Sequence, residues 1–389
     1  MKFCIWTTSL QADTLALAIA LDRDPDVDLL IVAANLHAFT SEPIARFVNL
    51  QCPMIDRSDE NQESIVRAFN ADVFLADNHI PKFLAGERMV FFWHGLPLKI
   101  QPRRDIRSFH RHCKRLVGKV TKPNQRFLAQ CYNDIDLQHR VNHWKIDASN
   151  CRKWGSPYSD LLMAPPYQRE DLEDYFGLEV GRRKNILLSL TWNYGDKAFG
   201  VLGDDDQIFR DILETAENHD ANIIFSMHDR FRYQPGLIEK VEHYANLYPR
   251  SHIKYKNQHA DNLADLVVSD VMICNFSSFI VFHYFMNKPS IHIQPVDTNK
   301  MFIGLPTMKG GGVRMIFRRN NHRLWIYPFT DNGGSLPLDG ESLVSDLSKS
   351  LEDSSYCLDN AKRFIDERIY LPNGKTCERI VSDLKQWVD

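Results

Sequence analysis

The chain has 389 residues, and its eight cysteines form no C-x-x-C pair and no Cys/His spacing of the zinc-binding kind. Cys4, Cys52, Cys113, Cys131, Cys151, Cys274, Cys357 and Cys377 are scattered and read as reduced thiols. No run of about 18 apolar residues occurs, and the opening MKFCIWTTS has neither a basic n-region nor an apolar h-region. The expectation is therefore a cytoplasmic protein without a spanning helix, with peripheral attachment to the inner face of the plasma membrane left open. The formal net charge of -3 gives no global pull on nucleic acid, which is not expected as a partner. Neither G-x-G-x-x-G nor G-x-x-x-x-G-K-[ST] is present, so Gly310, Gly311 and Gly312 read as a flexible loop. No solenoid-type repeat and no disorder-like composition is visible.

What is present is apolar and segmented. Hydrophobic residues make up 44% and aromatics 11%, and the length exceeds the size at which one core stops growing. Short apolar runs recur with helical spacers between them, the pattern of parallel strands buried on both faces. In the first half they are Phe3 to Thr8, Leu29 to Ala34, Asp72 to Ala76 and Met89 to His94. In the second they are Asn185 to Thr191, Asn222 to His228, Val271 to Asn275 and Ser290 to Gln294. The reading is α/β, with two doubly wound parallel-sheet domains over residues 1–165 and 166–375. Between them, Gly155, Pro157, Pro165 and Pro166 interrupt regular structure and suit a linker. Residues 376–389 form an amphipathic helix with Ile380, Val381, Leu384 and Trp387 on one side, able to pack on either domain.

Ligands of open parallel sheets sit beyond the carboxyl ends of the strands, and three candidate groups lie there. His94 ends an apolar run and precedes Gly95 and Pro97; a histidine near neutral pKa can take a proton from a hydroxyl, and a turn-bound structural histidine fits equally well. His228 also ends a run, with Arg230 and Arg232 behind it, a cationic set suited to a pyrophosphate or simply to solvent. Asn275, Ser277 and Ser278 precede an apolar helix whose N-terminus favours anions, although an ordinary serine or asparagine N-cap is the commoner use. The run Asp204 to Asp206 reads as helix capping rather than a metal site. From Lys99 to Arg126, ten basic residues face little acid beyond Asp105, a surface for anionic lipid or a solvated helical face.

The order of these pieces resembles the CDP-glycerol glycerophosphotransferase family, the teichoic-acid glycerol-phosphate primases and polymerases, over roughly residues 85 to 385. Phe92 to Lys99 is similar to the family's W-H-G-T-P-L-K, and Gly155, Pro157, Asp160 and Leu162 to its G-x-P-x-x-D-x-L. Asn185 to Trp192 is similar to the strand ending in A-P-T-[WF], and His228 falls where the family has a histidine. Asp270 to Ser278 with Asn287, Lys288 and Pro289 resembles D-x-x-x-[TS]-D-Y-S-S and a closing D-[KR]-P turn, and Asn373 to Arg379 resembles D-G-K-A-[ST]-E-R. The resemblance implies a GT-B architecture, two Rossmann-like domains facing across a cleft, acceptor on the N-terminal side and nucleotide donor on the C-terminal side. It implies His94 as general base, and His228, Ser277, Ser278, Arg230 and Asn275 around the donor phosphates. Gly95, Thr191 and Trp192 would line the cleft. The sequence departs at Leu96, Asn275 and Phe276, and has Phe282 and His283 where the family carries a carboxylate.

The expected reaction moves a glycerol phosphate or related polyol phosphate from a CDP-activated donor to an acceptor hydroxyl in surface-polymer synthesis, whether teichoic acid or capsule-like, releasing CMP. The acceptor would be a polyol phosphate, a saccharide or a lipid-linked molecule. No cofactor and no metal is expected, and a divalent ion is not indicated. The alternatives are a GT-B glycosyltransferase using a nucleotide sugar, and an inactive nucleotide-binding scaffold.

Overall fold

In the computed structural model, residues 1–388 are described except 35, 78, 94, 99, 191–197, 228–234, 256–258, 260–261, 276, 295–301, 310–311, 320–325 and 327; for 235, 302–309 and 312–319 the backbone alone is described. The first seven strands are β1 (Lys2–Thr7), β2 (Asp28–Ala33), β3 (Met54–Asp56), β4 (Ala71–Ala76), β5 (Gly86–Phe91), β6 (Phe127–Cys131) and β7 (Cys151–Lys153). They form one parallel sheet in the order β3-β2-β1-β4-β5-β6-β7. The central runs are apolar on both sides because helices cover both faces, which is why β1 and β2 are buried at every position after the first.

The second sheet holds β8 (Asn185–Ser189), β9 (Asn222–Met227), β10 (Ser251–Tyr255), β11 (Val271–Asn275) and β12 (Ser290–Ile293) in the parallel order β10-β9-β8-β11-β12. Both sheets are doubly wound: the order reverses direction between β1 and β4 in one and between β8 and β11 in the other. One apolar body, running from Phe3 and Ile5 through Leu187 to Phe279, Ile280 and Leu384, lies between the two sheets. Two further clusters cover their outer faces.

All eight apolar runs read from the sequence are strands, with shifts at their ends. The run expected to stop on His94 ends its strand at Phe91, after which Phe92 N–H makes one more bond to the Ala76 carbonyl at 2.8 Å. The segment read as a linker contains a helix, Tyr158–Met163. Pro157 sits at its N-cap with φ -53, where a fixed φ favours a helix start instead of breaking it. Gly312, read as loop, opens a strand paired with Lys309 in the antiparallel hairpin Phe302–Lys309 and Gly312–Arg319. The acidic run behaves as expected: the Asp204 side chain accepts from Gln207 N–H at 3.0 Å, capping the helix Asp205–Asn218.

The C-terminal helix Thr376–Val388 returns to the first sheet's side. Trp154 Nε1 donates to Asp383 at 2.7 Å, Lys385 pairs with Asp24 at 2.8 Å, and the Arg88 guanidinium lies 5.8 Å from the Trp387 ring. Among the described residues, no helix is long and apolar enough to cross a membrane. The eight cysteines are free thiols.

Candidate functional site

Two of the family-like segments form a structural joint. The Asp160 carboxylate accepts from Cys377 N–H at 2.7 Å, and so caps the C-terminal helix. Arg379 donates to Asn373 Oδ1 at 2.6 Å and to the Leu371 carbonyl at 3.0 Å, fixing the turn before it. Gly155, at φ +86, has the Tyr370 carbonyl so close that no Cβ fits there. The Lys288 amine likewise ends the helix Leu263–Val268 by donating to the carbonyls of Leu266 and Val267, both at 2.7 Å. Its burial pushes its pKa down to about 7.

The other segments gather at the carboxyl ends of the strands. His94, His228, Arg230, Thr191 and Trp192 lie outside the described residues. Gly95, Asn275, Ser277 and Ser278 are described. Asn275 ends β11 beside the second sheet's switch point; it is buried and its amide donates to the Ala198 carbonyl at 3.4 Å. Ser277 is the N-cap of the helix Ser278–Phe285 and accepts from Phe279 N–H at 3.3 Å, the ordinary capping use. Ser278 opens that helix and is half-buried.

Gly95 joins the two halves. Its φ is +105, and a Cβ added there would lie 3.0 Å from both Cβ and Oγ of Ser278 and 3.3 Å from the Phe282 ring. Two segments more than 180 residues apart in sequence are thus in direct contact, one from each sheet. Phe282 also packs edge-on against Tyr158, with centroids 4.8 Å apart. His283, the next residue, is fully buried between Ser269 at 3.1 Å and Ser290 at 2.9 Å, and burial drives its pKa well below the usual histidine value. Where the family carries a carboxylate, this chain has packing residues.

Behind Gly95 lies a buried polar network that no motif announced. The Gly95 N–H donates to the Tyr132 hydroxyl at 2.9 Å, and that hydroxyl donates to Asp13. Asp13 also accepts from Ser156 Oγ at 2.9 Å, Tyr158 N–H at 3.0 Å and Gln130 Nε2 at 3.3 Å. Burial raises the Asp13 carboxyl above the usual range although all four donors favour the anion. On the far side of Trp93, the fully buried Arg140 stacks on the rings of Trp144, Trp93 and Phe91 at 4.6, 5.3 and 5.6 Å. It pairs with buried Asp136 at 3.4 Å. The residues flanking His94 are therefore held by a hydrogen-bond chain on one side and a cation–aromatic stack on the other.

The basic stretch forms the helix Arg103–Leu116, which buries Ile106, Phe109, Cys113 and Leu116 and exposes Arg103, Arg104, Arg107, Arg111, Lys114 and Arg115. Among the described residues, no group of three or more His, Cys, Asp or Glu side chains is placed to hold a metal ion.

No protein-family profile and no curated protein matches the chain. Its fold is similar to that of the wall teichoic acid polymerase TagF, at 14% identity over 100% of this chain and 89% of that one, with a TM-score of 0.67. It is also similar to UDP-GlcNAc 2-epimerase from Neisseria meningitidis bound to UDP-GlcNAc, at 12% identity over 99% and 100% of the two chains, with a TM-score of 0.58. A glycosyltransferase from Rickettsia africae matches at 11% identity over 100% and 98%, with a TM-score of 0.51. The chain has the GT-B fold that the sequence resemblance implied.

Proposed function

We propose that this chain transfers a phosphoalcohol, glycerol phosphate or a related polyol phosphate, from a CDP-activated donor to an acceptor hydroxyl. The observation that carries the reading is the contact of Gly95 with Ser278, because it unites the two segments that the family resemblance assigns to acceptor and donor sides. The full-length likeness to TagF, one structure of which followed a soak with CDPG (CDP-glycerol), supports a CDP-linked donor.

In this reaction the acceptor oxygen attacks the β-phosphorus in line, a new O–P bond forms, the bridging P–O bond breaks and CMP leaves. Positioning and charge stabilisation supply most of the rate in such transfers. His94 takes the acceptor proton, a contribution of about 10²–10⁴-fold. His228, Arg230, Ser278 and the N-terminal N–H groups of the helix Ser278–Phe285 neutralise the pyrophosphate. Asn275 shapes the floor beneath them, and Thr191 and Trp192 flank the nucleotide. The exposed basic face of the helix Arg103–Leu116 docks an anionic surface carrying a lipid-linked acceptor.

A second reading, transfer of a sugar from a nucleotide sugar, is favoured by the fold shared with a glycosyltransferase and with an epimerase holding UDP-GlcNAc. Incubation with CDP-glycerol and an acceptor, followed by mass spectrometry, decides between them. Release of CMP supports phosphoalcohol transfer, whereas turnover confined to nucleotide sugars, with CDP or UDP released, rejects it. His94→Ala is expected to abolish transfer while leaving CDP binding nearly intact, and His228→Ala to weaken donor use; wild-type turnover by His94→Ala removes its role as base.

A further inference from the structure

Asp13, near the start of the helix Ala12–Asp22, is 1% exposed and pairs with no described cation. A carboxyl buried without a counter-ion is costly to keep ionised, and groups held in that condition cluster at functional sites. Its two oxygens are divided between two sets of donors. Oδ2 takes the Tyr132 hydroxyl and Gln130 Nε2, from just after and within the end of β6. Oδ1 takes Ser156 Oγ at 2.9 Å and Tyr158 N–H at 3.0 Å, from the start of the helix Tyr158–Met163.

The Oδ2 side reaches the backbone around His94 from both directions. The Tyr132 hydroxyl accepts from Gly95 N–H at 2.9 Å, one residue after His94. Gln130 Oε1 accepts from Trp93 N–H at 3.4 Å, one residue before it. Gln130 Nε2 also donates to the Gly155 carbonyl at 2.8 Å, and the three bonds together fix which way the amide faces. The Oδ1 side reaches the other sheet. Tyr158, whose N–H it holds, lays its ring edge-on against Phe282 of the helix Ser278–Phe285, and Phe282 and Ser278 in turn meet Gly95. The contacts form a closed ring through both sheets: Asp13, Tyr132, Gly95, Ser278 with Phe282, Tyr158 and back to Asp13. Every member except Ser278 is buried.

We infer that Asp13 is a positioning residue that sets the turn carrying His94 against the helix Ser278–Phe285, one carboxylate oxygen holding each. The inference rests on the transfer reaction proposed above and adds a residue that acts on it through Tyr132, Gln130 and Tyr158. A carboxylate suits the task because four donors need two oxygens, each with two lone pairs, and an asparagine amide has only one. Misplacing a base against its substrate by about 1 Å costs such a reaction up to about 10²-fold.

The test uses the full chain and the variants Asp13→Asn, Tyr132→Phe and Tyr158→Leu, each checked for folding by near-UV circular dichroism. On each are read the turnover of CDP-glycerol, calorimetric titrations with CDP and with UDP, and the imidazole resonance of His94 in carbon-13 histidine spectra, identified by its loss in His94→Gln. Tyr132→Phe is expected to lower kcat by about tenfold or more and to shift the His94 resonance, with nucleotide affinity within about twofold of wild type. Tyr158→Leu is expected chiefly to weaken the nucleotide, by about threefold or more, through the loss of its ring contact with Phe282. Asp13→Asn should do both. A merely structural role lowers the amount of active protein and moves neither the His94 resonance nor the nucleotide affinity of what remains folded. Wild-type kcat, affinity and His94 resonance in folded Asp13→Asn overturn the assignment. Where Asp13→Asn does not fold, wild-type kcat and an unmoved His94 resonance in Tyr132→Phe overturn it instead. Turnover of a nucleotide sugar in place of CDP-glycerol, divided among the variants in the same way, keeps the positioning role and removes the CDP-alcohol donor. CMP release from CDP-glycerol that is indifferent to all three substitutions removes the positioning role alone.

Discussion

Gly95 and Ser278 touch across the two sheets so closely that a methyl group on the glycine would press on the serine: its Cβ position lies 3.0 Å from the serine Oγ. At φ +105 a side chain is also conformationally strained. Gly95→Ala is therefore expected to cost about 1–3 kcal/mol from strain and overpacking and to reduce turnover by moving the two segments apart. Urea unfolding and a transfer assay on the same preparation check both. A variant as stable and active as wild type would mean that the contact has slack.

Tyr132 supplies the hydroxyl between Gly95 N–H and buried Asp13. Tyr132→Phe keeps the ring but leaves the Gly95 N–H without its acceptor and Asp13 Oδ2 with only the 3.3 Å bond from Gln130, so a loss of about 1–3 kcal/mol is expected. Adding Asp13→Asn should not add a second full penalty, because the two groups share one network. Denaturant midpoints of the single and double variants measure the coupling, and strict additivity would contradict it.

Arg140 and Asp136 are both almost fully buried. Arg140→Met alone leaves the carboxylate without its cation and should cost about 3–5 kcal/mol. Asp136→Asn in the same chain should recover a large part of that loss, since an amide needs no counter-charge. If the double variant is no more stable than the single one, the stacking of the guanidinium on Trp144, Trp93 and Phe91, and not the charge pairing, accounts for the effect.

Acid should weaken the fold before the carboxylate range is reached. Burial pulls His139 down to about 4 and His292 to about 3, and pulls His252 and His283 down as well. In the unfolded chain these rings titrate near 6.5, so below that pH the unfolded state holds more protons and stability falls. Asp13 and Asp136, raised by burial, act in the opposite sense and reduce the slope. The urea midpoint is expected to drop between pH 7 and pH 5; a midpoint flat over that window would show that these histidines protonate within the fold.

The eight apolar runs were legible because buried parallel strands are apolar on both faces. β10 was not, because Ser251, His252 and Lys254 alternate through it at a sheet edge; β3 and β7 are only three residues long. β6 was passed over beside the basic stretch that precedes it. The candidate site was legible where residue order carried it, at Gly95 and at Asn275 to Ser278. Asp13, Gln130 and Tyr132 left no such signal: Asp13 sits in the helix Ala12–Asp22 and the other two at the end of β6, more than 110 residues away, and only tertiary packing brings them together. Likewise, Asp160 and Arg379 lie in segments that resemble family motifs, and their contacts are those of a cap and a turn.

The helix Thr376–Val388 belongs in space to the sheet that begins at Lys2, although nearly the whole chain separates them in sequence. On a ribosome, that first sheet cannot acquire its closing wall until residues 376–388 have been made, so its formation depends on contacts of very long range, which are slow to form. The second sheet, built from one continuous stretch and capped locally, has no such wait. Refolding should therefore pass through a species in which strands β8 to β12 are protected from hydrogen exchange while β1 and the helix Ala12–Asp22 are still open, an inversion of the N-to-C order usual for multidomain chains.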